Sequence, residues 1–197
     1  MPNWCYTNIT ITHNDEEKVK NLENLINEWT SKDYMKNGFG HTWLGNVVLG
    51  ANIGTVDTNP ETDIRCRGKL SNIDRNGNEL IINTETAWAP MMQIWKKVID
   101  KYLPDAEILY TAEECDCGLY YTNDPDVQNH YCIDSWDCEE IESDYEATED
   151  RVIEVLQELL DTAENDIETL FEMFEDSNCF DSMSINEWKF VDIDELN

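Results

Sequence analysis

The stretch Trp4-Cys5-Tyr6-Thr7-Asn8-Ile9-Thr10-Ile11-Thr12 is rich in aromatic and β-branched residues and alternates with a short period, the pattern of a half-buried strand. Asn14-Asp15-Glu16-Glu17 follows at once, and Asn14 with Glu17 three positions on predicts a helix start in a capping-box variant. Val19, Leu22, Ile26 and Trp29 then recur at helical spacing, so one apolar stripe lies ready to cover a sheet face. A strand feeding an amphipathic helix within the first thirty residues points to an α+β layer arrangement.

Working outward, residues Thr30 to Pro60 are rich in Gly and Asn and carry no assignable period. Arg65 to Ser71 and Glu79 to Glu85 read as a hairpin around Asn76-Gly77. Pro90 suits the first turn of a second helix with a buried stripe of Met92, Trp95, Ile99 and Tyr102, stopped by Pro104. Trp88 and Trp95 are expected in the core. Ala106 to Thr111, Leu119 to Thr122 and His130 to Ser135 read as further strands. The order β-α-β-β-α-β with an extra hairpin is that of a ferredoxin-like split βαβ, with helices over one face of an antiparallel sheet.

Charge divides the chain. The 197 residues hold 43 Asp plus Glu against 13 Lys plus Arg, a formal net charge of −30. Residues 1–100 are nearly balanced at 13 acids to 10 bases, whereas residues 101–197 hold 30 acids and only Lys101, Arg151 and Lys189. Gly118 is the last glycine and Pro125 the last proline. We therefore expect a ferredoxin-like domain over residues 1–135 and an acidic, helical C-terminal region over residues 136–197. Val152, Leu156, Leu159 and Leu160 predict one amphipathic helix there, and Ile167, Leu170, Phe171 and Phe174 a second. Trp188, Phe190 and Ile193 predict a tied-down terminus. With 41% apolar residues and seven Trp, eight Tyr and five Phe, the chain has enough material for a core and is not a disordered polyanion.

Such a charge excludes direct binding to nucleic acid and to anionic membranes, which are themselves polyanions. Met1-Pro2-Asn3-Trp4 has neither the basic nor the apolar region of a secretory leader, and no apolar run reaches the ~20 residues of a bilayer span, so a cytosolic protein is expected.

Three stretches carry a resemblance: Met1-Pro2-Asn3-Trp4-Cys5 with Asn8, then Glu85-Thr86-Ala87-Trp88-Ala89-Pro90, then Glu113-Glu114 through Cys117-Gly118 to Asn123-Asp124. In order and spacing this resembles the YubB-like ferredoxin-like domain family, small proteins of plasmids, phages and other mobile elements, over roughly residues 1–135. The resemblance implies a ferredoxin-like topology without an iron–sulfur cluster, and a mobile-element origin. It implies no activity and transfers no functional residue. The region after about Ser143 lies outside it.

Three groups of residues bear on function. Between Asp137 and Asp150 stand eight acids, Asp137, Glu139, Glu140, Glu142, Asp144, Glu146, Glu149 and Asp150. As a helix this span measures ~21 Å, one negative charge per ~2.6 Å against one per ~1.7 Å along duplex DNA. A solvated face that only keeps the protein soluble is the bland alternative, but the self-repulsion of this tail exceeds what solubility asks. Cys115, Cys117, Cys132 and Cys138 are candidates for a structural zinc site. Against that, Cys-x-Cys on a strand sends its thiols to opposite faces, and zinc knuckles favour two intervening residues. Glu113-Glu114 would serve acid–base chemistry if buried together. Finally, the chain lacks a P-loop, a Gly-x-Ser-x-Gly, a His-Glu-x-x-His and an EF-hand glycine in its acidic part.

The expectation is a non-enzymatic, cofactor-free mobile-element protein. Its acidic surface would imitate nucleic acid at the basic site of a host effector, a CRISPR or restriction component. A zinc-stabilised module and an enzyme using a buried carboxylate are the alternatives.

Overall fold

The computed structural model describes residues 3–35, 39–56, 63–115, 118–138 and 141–196. The chain is α+β and divides into two compact units, residues 1–124 with 191–197, and residues 125–190.

In the first unit β1 (Trp4–Thr12) leads into α1 (Glu16–Trp29), a short α2 (Leu44–Gly50), β2 (Gly68–Asn76), β3 (Glu79–Ala87), α3 (Met92–Tyr102), β4 (Glu107–Glu114) and β5 (Leu119–Thr122). Strand β1 is central and pairs antiparallel with β3 and with β4; β2 flanks β3, and β5 flanks β4. Within this unit the strand order is β2-β3-β1-β4-β5. The Val191 amide donates to the Thr122 carbonyl at 2.8 Å.

Period-2 alternation sorts β1 as its sequence predicts. Cys5, Thr7, Ile9 and Ile11 are buried, and Ile9 lies opposite Ile82 on one side and Tyr110 on the other. Tyr6 is on the opposite face, between Glu85 and Glu113. The stripe Val19, Leu22, Ile26 and Trp29 of α1 is buried, as are Met92, Ile94, Trp95, Val98 and Ile99 of α3. Each such side chain contributes about 1.5–3 kcal/mol of burial energy.

The start of α1 differs from its sequence reading by one residue. Asp15, not Asn14, is the N-cap, its Oδ1 accepting from the Glu17 and Lys18 amides. The His13 ring explains the shift: its Nδ1 accepts from the Asp15 amide at 2.9 Å, the group a capping-box glutamate would have taken. The hairpin turns where expected, with Gly77 at φ +61° between Asn76 and Glu79, but its first strand runs Gly68–Asn76 instead of Arg65 to Ser71, because the strand continues into the turn. Helix α2 lies in the stretch without a period. A Cβ at Gly45 would collide with the Trp43 ring, and one at Gly50 with that of Trp29. Close backbone approach to indoles positions this helix.

The second unit is not purely helical. Strands β6 (Tyr131–Ser135), β7 (Asp144–Ala147) and β8 (Met183–Glu187) form a sheet in the order β7-β6-β8, accompanied by α4 (Glu149–Leu160) and α5 (Ile167–Glu175). Thr148 caps α4 through the Arg151 amide, and Asp166 caps α5 through that of Thr169. Ile133, Val152, Val155, Leu156, Leu170, Phe174 and Met183 form its core. No helix among the described residues is long and apolar enough to cross a membrane.

Candidate functional site

The acidic tract is presented in three pieces rather than as one helix. Asp137 follows β6 and is exposed, and Glu142 is exposed in the next loop. Asp144 and Glu146 share a face of β7, and the Asp144 Oδ1 accepts the Glu146 amide at 3.1 Å. Glu149 and Asp150 occupy the first turn of α4, where the helix dipole favours negative charge. Glu139 and Glu140 lie outside the described residues.

A longer-range acidity is built into the helices. Asp150, Glu154 and Glu158 form an exposed i, i+4, i+8 row on α4, and Glu168, Glu172 and Glu175 a second row on α5. Along α4 this sets one carboxylate every ~6 Å. The second unit holds 21 acids against two bases, Arg151 and Lys189. Its sole ion pair among the described residues joins Arg151 to Glu154 at 3.5 Å. With so few cations among so many carboxylates the field of this surface stays negative.

The other candidates separate. Cys115 is exposed at the end of β4, Cys132 is buried on β6 and Cys138 is half-buried. Cys117 lies outside the described residues, among which no group of three or more His, Cys, Asp or Glu could hold a metal ion. Glu113 and Glu114 are successive strand residues on opposite faces, so they do not form a carboxylate pair. Glu114 is only 1% exposed and its Oε2 has no hydrogen-bond partner. Burial pushes the Cys5 thiol up to about 11, with smaller contributions in the same direction from the Glu114 and Glu113 carboxylates.

Trp88 corrects a sequence expectation. Trp95 is a core residue at 1% exposure, but Trp88 is 49% exposed and held at φ +75°, an unusual conformation for a bulky residue. Its amide donates to the Asn3 carbonyl at 3.0 Å, and the Ala87 amide donates to the Arg67 carbonyl at 2.8 Å, so both sides of the turn are pinned. The turn walls a cleft of about 570 Å³ that Arg65, Arg67, Pro90, Met91 and Gln93 also line. Sequence reasoning passed over the two arginines, although the alternation Ile64-Arg65-Cys66-Arg67 was there to read: Ile64 and Cys66 are buried, the arginines exposed. Trp43, which carried no assignment in sequence, is buried at the start of α2 and bridges to Lys69.

The chain matches no family model, and neither a curated protein nor a solved structure matches it significantly.

Proposed function

We propose that this is a non-enzymatic inhibitor whose second unit docks as a nucleic-acid mimic on the basic site of a nucleic-acid-handling host protein, with the first unit as its scaffold. The observation that carries this reading is the composition of the second unit's surface, where 21 acids stand against two bases and one of those bases, Arg151, lies beside Glu154 at 3.5 Å. The three presentations of Asp137 to Asp150 and the two helical rows suit a curved, cationic groove better than a single straight ladder does. Association with such a groove is fast and falls steeply with salt. The mobile-element resemblance makes a defence component, a CRISPR or restriction effector in the host cytoplasm, the partner class.

For the scaffold we infer a ferredoxin-like split βαβ. The order β2-β3-β1-β4 with antiparallel neighbours, and α1 and α3 as the two crossovers, supports it. On that reading α2 is an insertion and β5 an added edge strand.

The test is competition. Labelled duplex DNA bound to a purified restriction or CRISPR effector should be displaced by this protein at low salt and retained at high salt. Neutralising Glu139, Glu140, Glu142 and Asp144 together, and separately Asp150, Glu154 and Glu158, should each weaken displacement. Full displacement by both variants, or none by the parent protein across effectors of both classes, rejects the proposal.

A further inference from the structure

The first unit carries cationic groups where the rest of the chain carries acid. Arg65 and Arg67 are exposed just before β2 and alternate with the buried Ile64 and Cys66. Among the described residues neither side chain has a hydrogen bond or an ion pair. In a chain with 43 carboxylates and 13 bases, two arginines two positions apart at one cleft are informative. The next cation along the chain, Lys69, is by contrast paired with Glu85 at 2.9 Å.

The arginines line the cleft of about 570 Å³ walled by the Trp88 turn and the N-terminal end of α3. That volume is in the range of small-molecule sites, about 300–1,000 Å³. Helix α3 begins without a side-chain cap and without an acid in its first turn, and its positive dipole end lies at the cleft. Two carboxylates also line the space. Asp63 is engaged by the Thr55 hydroxyl at 2.5 Å, and Glu195 sits in the terminal turn. The indole of Trp88 supplies an exposed aromatic face at the same wall. Trp88 keeps a positive φ that a glycine would hold without strain, so its side chain is retained against a conformational penalty.

We propose that this cleft is a binding site for a mononucleotide, with the phosphate on Arg65 and Arg67 and the base stacked on Trp88. Guanidinium forks match phosphate oxygens, and indole stacks on any base. Net charge opposes a polymeric nucleic acid but not a small ligand, since beyond about 8 Å the remote carboxylates are screened at physiological salt. The site is independent of the acidic docking surface and stands or falls without it.

Calorimetric titration of the whole protein with adenosine 5′-monophosphate, adenosine and inorganic phosphate tests this. The nucleotide should bind once per chain and more tightly than either fragment. Arg65→Ala/Arg67→Ala should raise its dissociation constant by about tenfold or more, the scale of lost charge-assisted hydrogen bonds. Trp88→Gly should weaken the nucleotide and leave phosphate unchanged, while its melting temperature holds or rises, which separates ligand loss from misfolding. Absence of nucleotide binding at millimolar concentration, phosphate binding as tight as the nucleotide, or indifference of nucleotide binding to both variants overturns the assignment.

Discussion

The Thr86 hydroxyl donates to the Ala89 carbonyl at 2.8 Å across a turn whose middle holds Trp88 in the left-handed region. Thr86 is fully buried, and the bond ties the end of β3 to the turn before α3. Thr86→Val removes the donor with little change of shape. It should lower unfolding free energy by about 1–2 kcal/mol, read from the urea midpoint at unchanged slope.

Trp88→Gly should act in the opposite direction. A non-glycine residue at positive φ carries a penalty of about 1–3 kcal/mol, less the entropy glycine adds to the unfolded chain. A net gain of about 1 kcal/mol is expected. The same denaturation experiment reads it, and a loss of stability would show that the exposed indole packs more than it strains.

Cys5 gives a dependence on alkaline pH. Burial raises its thiol from 9.0 to about 11. The folded chain thus keeps a proton that the unfolded chain releases, and the contribution is complete below pH 9 and is lost as pH rises toward 11. A shift of that size corresponds to about 2–3 kcal/mol. Between pH 8 and 11 the parent protein should lose more stability than Cys5→Ala by roughly that amount. Equal losses would place the alkaline sensitivity elsewhere, Tyr110 being the next candidate, since burial also pushes its hydroxyl up.

What could be read in advance follows from how local each cause is. Strand β1, the stripe of α1 and the turn at Gly77 depend on periodicity and on one residue's φ, and both are visible in sequence. Helix α2 has seven residues, no side-chain cap and two glycines pressed on Trp43 and Trp29, so only tertiary contact defines it. Strands β7, Asp-Tyr-Glu-Ala, and β8, Met-Ser-Ile-Asn-Glu, have weak strand composition and exist because β6 pairs with both. Eight carboxylates between Asp137 and Asp150 have no period, which hid the three-part geometry. Arg65 and Arg67 do alternate with buried neighbours, but their cleft exists only because the Trp88 turn and the start of α3 fold against them.

Glu158→Lys separates docking from folding. Glu158 stands in the last turn of α4, four residues after Glu154 and three before Asp161, and that turn has no basic residue. Like charges at this spacing destabilise a helix by about 0.2–0.5 kcal/mol per pair, and a cation near the C-terminus gains a further few tenths from the dipole. The substitution should therefore raise stability by about 0.5–1 kcal/mol while weakening displacement of DNA from the effector. A stabilised protein that displaces DNA less well is the signature of a surface kept acidic for recognition. A stabilised protein that displaces DNA as before would remove the α4 row from the contact.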